Sequence, residues 1–415
     1  MSGFSTIAWI DQSSDQQRRV REIVRLFAQS ESRDELGIGQ IRDVYSNRLF
    51  PGTSVIQTRA RYFLMVPWLF EYHAAKNRSG SELLRRVHAS ERYLIESIKR
   101  MGAADADIDT AGLIGSVAGA KVKILPSTIY WSGLTAYGIL RQPLGPDELG
   151  LGPDSSDLDA ASELTTRAST DWHPTLPPPP PGFPDQLDGG FQLRRDEAEW
   201  LRDIVLQAAP GTLLAHLISR DAPPATDSFG PWADPEAVSA APDILDLVRD
   251  AERFSVVMHG AALLYNLLLA ERYEALGLNS VDAPVDTYRA LLEDWAGEAE
   301  DLSDRIRAWD LATWWPTIRE HNPRIGPSTQ RFVNEWVAMV RDGGRTRIAD
   351  HVGARDLIAH REKIQKKAQA RLTNERLLRS WNGSSGAAQL VYRWPLVRTL
   401  VTDVVTALHS DDAAA

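Results

Sequence analysis

Apolar residues recur at intervals of three and four along most of this chain, and strict alternation is rare. That spacing predicts amphipathic helices over 35–49, 55–72, 80–100 and 128–137, preceded by a helix that starts from cap candidates between 11 and 14 and runs through 27. Beyond residue 190 it predicts helices over 194–207, 244–276, 285–307, 329–341, 355–372 and 395–408. The last carries Pro395 in its first turn, where the missing N–H costs nothing. Two segments alternate instead. In 5–10, Ile7 and Trp9 flank Ala8; 389–394 follows the turn-rich run Asn382, Gly383, Ser384, Ser385, Gly386. Both are predicted as short strands.

The stretch 143–190 breaks the pattern. Its Gly, Ser, Thr and Asp content and the run Pro177 to Pro181 are incompatible with a helix or a central strand, and the prolines alone form a stiff spacer of about 15 Å. The chain therefore reads as mainly α. An N-terminal helical domain, winged-helix-like in part, covers 1–142, a Pro-rich linker covers 143–190, and a larger helical C-terminal domain with a few short strands covers 191–415.

Composition removes several chemistries. With no Cys there are no disulfides, thiolate metal sites or thiol nucleophiles. The start of the chain lacks the basic and apolar blocks of a signal peptide, and no uninterrupted apolar run has the length of a membrane span. The expectation is a cytoplasmic protein without membrane contact. Net charge is -10, yet residues 33–100 hold 12 Lys/Arg against 7 Asp/Glu and residues 355–381 hold 8 against 3. That asymmetry is what a local basic face on an acidic protein leaves in the sequence.

Within 33–68, Phe50, Pro51, Gly52 and Thr53 suit a type II turn, and Ser54 with Gln57 suits a capping box for the helix that follows. Ile56, Ala60, Phe63 and Leu64 would form that helix's buried stripe, with a bend at Pro67. Arg59 and Arg61, two residues apart, would then point about 200° away from each other. One of them is expected to be structural and the other to contact a phosphate.

Segment 109–140 reads as a helix-turn-helix whose second helix offers Ser127, Thr128, Tyr130, Ser132 and Thr135, with Lys121 and Lys123 just before it. In the helix from 355, Lys363, Lys366, Lys367 and Arg371 share a basic face opposite Leu357, Ile364, Ala368 and Leu372. In 244–276, Ala251, Phe254, Ser255, Met258, Ala262, Tyr265 and Leu269 form the core stripe. His259 sits beside it with Glu252 and Asn266 each seven residues away, a row that could serve acid–base chemistry or simply be a satisfied buried polar row. No metal-ligand or nucleophile motif accompanies it. The 13 Trp, including Trp309, Trp314, Trp315 and Trp336, are expected mostly as core or interface anchors.

Taken together, STIAWID, RDELGIGQIRD, LFPGTSVIQTRARYFLMVPW, LPSTIYWSGLTAYGIL, DAERFSVVMHGAALLYN and QARLTNERLLRSWNGSSGAAQLVYRW resemble an uncharacterised bacterial family, domain-of-unknown-function family 6361. The resemblance covers nearly everything outside the linker. It implies a gene neighbourhood of anti-phage defence, beside helicase-type and phospholipase-D-like genes, and brings no catalytic residues or cofactor. The expectation is a non-enzymatic accessory subunit of a defence system that binds DNA, through Arg59 or Arg61, Lys121, Lys123 and the Lys363 to Arg371 face, or assembles with a helicase or nuclease partner. The alternatives are an enzyme centred on His259, Glu252 and Asn266, and a protein-only scaffold for a helicase or nuclease partner.

Overall fold

A computed structural model describes residues 34–76, 79–150 and 171–410. The strand expected over 5–10 and the helix expected through 27 lie outside them. In chain order the longer helices are α1 (Gly39–Leu49), α2 (Tyr62–Ala74), α3 (Gly80–Ala104), α4 (Pro126–Ala136), α5 (Arg195–Ala208) and α6 (Pro242–Ala275). They continue with α7 (Pro284–Asp301), α8 (Leu311–His321), α9 (Pro327–Arg341), α10 (Val352–Lys366) and α11 (Trp394–His409). Among the described residues no strand forms, and the β pairings are two isolated bridges, Asp109 with Gly190 and Leu140 with Trp172. The protein is mainly α, as the periodicity predicts.

The chain divides into two compact units, each assembled from separated stretches: Met1–Val44 with Asp250–Leu390, and Tyr45–Arg249 with Val391–Ala415. The sequence reading divides it linearly at 143–190 instead. The described part of that stretch is packing material of the second unit: Trp172 and Leu187 are buried, and the Trp68 indole donates to the Pro177 carbonyl at 2.7 Å. The polyproline run is thus held against α2 rather than hanging as a spacer.

In the second unit α2 is apolar and buried from Tyr62 to Phe70, and only its last turn reaches the surface. It packs against α3 and α4. Helix α3 buries Leu83, Val87, Leu94, Ile95 and Ile98 on one side and leaves the other polar, while α11 packs on α5. Helix α2 starts at Tyr62, seven residues later than the periodicity predicts, for an identifiable reason. The N–H groups of Thr58 and Arg59 are taken by the Tyr130 hydroxyl at 2.8 and 3.0 Å, and that of Ala60 by Asp403 at 2.9 Å. Backbone donors spent on side chains cannot build a helical ladder. Ile56, expected inside, is consequently 49% exposed. The turn before it forms as predicted, with Gly52 at φ +75°. Only half of the capping box exists: Gln57 Oε1 accepts from the Ser54 N–H at 3.1 Å, but Ser54 Oγ has no partner.

In the first unit the buried residues of α6 form the core. The Trp295 indole of α7 donates to the Val256 carbonyl and that of Trp336 in α9 to Val257, each at 2.7 Å. Gly260 makes the first contact possible, because a methyl there would overlap the Trp295 ring. Trp309, Trp314 and Trp315 cluster edge to face, with Trp314 stacked on Phe254. All four tryptophans singled out in the sequence are therefore core anchors. Helix α6 is long and apolar enough to cross a membrane by length and composition, and 78% of its most apolar window is buried, as in a core helix.

The strand expected over 389–394 is absent. Tyr392 and Arg393 adopt φ of 53° and 68°, a left-handed backbone that ends any extended run. Burial of the Tyr392 ring against Tyr45 and Trp232 holds it there.

Candidate nucleic-acid interface

The two arginines of the opening stretch are both internal. Arg59 is 8% exposed and pairs with Asp403 at 2.9 Å and Asp109 at 2.6 Å, while donating to the Ala111 carbonyl. Arg61 is 1% exposed, pairs with Glu197 at 3.1 Å and donates to the carbonyls of Asp188 and Gly190. Neither is presented to a phosphate, contrary to the expectation that one would be. Because no helix forms before Tyr62, the two side chains are not set about 200° apart, and both turn inward.

The basic face expected after 355 is also broken. Helix α10 stops at Lys366, and Lys367 takes φ +49°, so Arg371 no longer shares its face. Lys366 and Arg371 both bind the buried carboxylate of Glu35, at 3.0 and 2.9 Å. Burial alone would raise the Glu35 pKa, but hydrogen bonds from Lys366, Arg371 and Ser385 bring it below the usual range. Only Lys363 and Lys367 of the four stay exposed. The apolar side is reversed as well: Ile364 is exposed, whereas Arg361 and Glu362 are buried. Arg361 donates to the carbonyls of Leu36 and Gly37 and to the hydroxyls of Ser328 and Thr329. Glu362 accepts from the Tyr265 hydroxyl and from the N–H groups of Arg371 and Leu372. Satisfied polar groups can occupy a core face that periodicity assigns to hydrocarbon.

The expected recognition helix, α4, also looks inward. Tyr130 is fully buried, and Ser127 gives its N–H and hydroxyl to the buried Glu91 at 2.6 and 3.0 Å. Thr128 and Ser132 remain exposed. Lys121 and Lys123 are exposed too, at the end of and just beyond a 3-10 turn, Gly119–Lys121, that packs against α3.

That contact leads to a surface the sequence reading passed over. The solvent side of α3 carries two rows spaced by sevens, Arg85, Arg92, Lys99 and Arg86, Tyr93, Arg100. Seven residues are almost two helical turns, so each row is a line along the axis, about 22 Å from Arg85 to Arg100. Glu82 and Glu96 lie between the rows. Glu82 takes Arg85 and Arg86 in exposed pairs, and Glu96 caps the Ala120 N–H at 3.0 Å, docking the 3-10 turn. Gly119 is flanked by the side chains of Glu96 and Lys99, so Lys121 and Lys123 extend the basic end of the helix. Seven cations face two carboxylates here, with Asp105 and Asp107 beyond the C-terminus of the helix. Lys99, Arg100, Lys121 and Lys123 form no ion pair among the described residues. The 33–100 charge excess contained this signal, and reading it at intervals of seven would have found it.

The row on α6 separates. Glu252 pairs with Arg305 at 2.5 Å. Asn266 clamps the Ser385 peptide, accepting from its N–H at 2.8 Å and donating to its carbonyl at 2.9 Å. His259 is held by a hydrogen bond to the Ala387 backbone. It lines an open cleft with Asp34, Glu35, Arg42, Met258 and Tyr265 among the walls, and its Nδ1 has no hydrogen-bond partner. Burial lowers its pKa to about 4, so the imidazole is neutral. The three residues do not form one acid–base site.

Among the described residues no group of three or more His, Asp or Glu could hold a metal ion. No curated protein and no solved structure matches the chain. A family model does match, over residues 4–407: the chain belongs to DUF6361, a family of unknown function.

Proposed function

We propose that the chain is a non-enzymatic accessory subunit that binds nucleic acid through the outer face of α3, in the anti-phage defence setting and beside the helicase or phospholipase-D-like partner that its family resemblance implies. The observation that carries this is the gathering of Arg85, Arg86, Arg92, Lys99, Arg100, Lys121 and Lys123 on one helix face and the turn docked at its end. Most other cations singled out in the sequence serve internal carboxylates. These seven stand at the surface, where phosphate neutralisation with counterion release favours binding.

The test is oligonucleotide binding at low salt by the intact protein and two double charge reversals. Lys99→Glu with Arg100→Glu weakens binding about tenfold or more, since two phosphate contacts become repulsions. Lys363→Glu with Lys367→Glu leaves it within about twofold. The opposite ranking places the interface on α10 and contradicts the proposal. No binding by the intact protein, with a partner still co-purifying after nuclease treatment, favours the scaffold instead.

One observation supports a second reading, the unpartnered Nδ1 of His259 at the α6 cleft. It is the remnant of the enzyme alternative. A thermal-shift screen of small metabolites in which His259→Leu removes a hit supports it, and a screen without such a hit ends it.

A further inference from the structure

Tyr93 is half exposed, at 50%, in the middle of the cationic face, with Arg86 and Arg100 seven residues to either side. The Arg100 guanidinium carbon lies over the ring, 5.9 Å from its centroid, a cation–π distance that steadies it from one face. An exposed aromatic forfeits burial, so this ring is not there for the core, which Leu94, Ile95 and Ile98 supply on the opposite side. Resting on the nucleic-acid reading above, we infer that the α3 face selects single-stranded nucleic acid, with Tyr93 as the platform on which one base stacks and the flanking arginines as its phosphate clamps.

The geometry distinguishes strands from duplexes. Bases in a duplex are already stacked and offer only their edges in the grooves, so a ring on a helix face gains nothing from them unless a step is unstacked. A single strand presents base faces freely, and stacking on an aromatic side chain tolerates any sequence. Arg86 and Arg100 each lie about 10 Å along the axis from Tyr93, one on either side, so they can reach phosphates on both sides of a stacked nucleotide. The Arg86 pair with Glu82 is solvent-exposed and weak enough to be exchanged for a phosphate. Duplex binding through the cations alone would leave Tyr93 idle.

The experiment compares an oligo(dT) strand with a blunt duplex of equal length by fluorescence anisotropy at one salt concentration, using the full chain. The intact protein binds the strand more tightly. Tyr93→Ala weakens strand binding roughly 5- to 100-fold and changes duplex binding less than about twofold, and Tyr93→Phe keeps strand binding. If Tyr93→Ala weakens both forms equally, or neither, while Arg86→Glu with Arg100→Glu weakens both, the single-strand inference falls and the interface stands. If that arginine pair has no effect either, the interface itself falls. Tyr93, Arg86 and Arg100 lie on the exposed side of α3, so the variants are expected to fold, and unchanged thermal melting verifies this.

Discussion

Arg61 and Glu197 meet at 3.1 Å with their side chains 1% and 0% exposed, joining the residue that precedes α2 to the first turn of α5. The pair is completed by the carbonyls of Asp188 and Gly190, each 2.7 Å from Arg61 Nη1, and by the Arg194 N–H, which donates to Glu197 at 3.0 Å. A guanidinium supplied with this many acceptors is a construction element. It fixes the 188–190 loop and the start of α5 around one buried charge.

Removing one partner leaves the other charged and dry. Arg61→Ala or Glu197→Ala is expected to cost about 3–5 kcal/mol, read as a lower denaturant midpoint. Replacing both by apolar residues of similar size, Arg61→Met with Glu197→Leu, recovers much of that loss. A single substitution costing under about 1 kcal/mol contradicts the structural role.

Asn266 satisfies both polar groups of the Ser385 peptide in a buried setting. Asn266→Ala strands both groups and is expected to cost about 2–4 kcal/mol. Asn266→Asp still accepts from the Ser385 N–H but sets a carboxylate oxygen against the carbonyl, so it is no better tolerated. Urea denaturation of the two variants decides this, and a near-neutral Asn266→Asp speaks against the clamp.

How much of this was legible in the sequence depends on the range of each interaction. The turn at Pro51 and Gly52 rests on local chemistry, as does the buried stripe of α6, of which Ala262 is half-buried and the other six residues are buried. The late start of α2 and the inward turn of Arg59 depend on Asp403, 343 and 344 residues away, which no local pattern encodes. Helix α10 misleads in the same way, because Arg361 finds an acceptor at Leu36 and Glu362 a donor at Tyr265, both on distant segments, so the two occupy its inner face. Helix α8 was missed although its Trp and Ile residues are core, since Pro316 inside it disguises the period. The α3 face needed only the spacing by sevens.

Glu91 has its pKa raised to about 7, chiefly by burial, against the lowering effect of the Ser127 hydrogen bonds. A carboxyl whose folded pKa lies above its unfolded value stabilises the fold fully below the unfolded value, and that contribution is lost as pH rises through about 7. The shift from 4.5 to about 7 corresponds to roughly 3 kcal/mol. The difference in melting temperature between the intact protein and Glu91→Gln should therefore move against the intact protein from pH 4.5 to pH 7. A difference that does not vary with pH contradicts it.

His259 acts in the opposite sense. Its pKa is depressed from 6.5 to about 4 by burial, so its contribution is present above 6.5 and is lost as pH falls toward 4. His259→Leu should lose less stability than the intact protein between pH 6.5 and 4, by up to about 3 kcal/mol. Equal acid losses in denaturant melts of both proteins rule this out.

The central claim, that the cations of α3 hold nucleic acid by its phosphates, is tested most directly by a salt titration. Log affinity plotted against log salt concentration is predicted to fall linearly, and each cation removed should flatten the slope by about 0.7 on a single strand or about 0.9 on a duplex. Lys99→Ala with Arg100→Ala should therefore reduce its magnitude by about 1.4 to 1.8, while Lys363→Ala with Lys367→Ala leaves it unchanged. A slope near zero, or one that the Lys99 and Arg100 substitutions do not alter, contradicts the account.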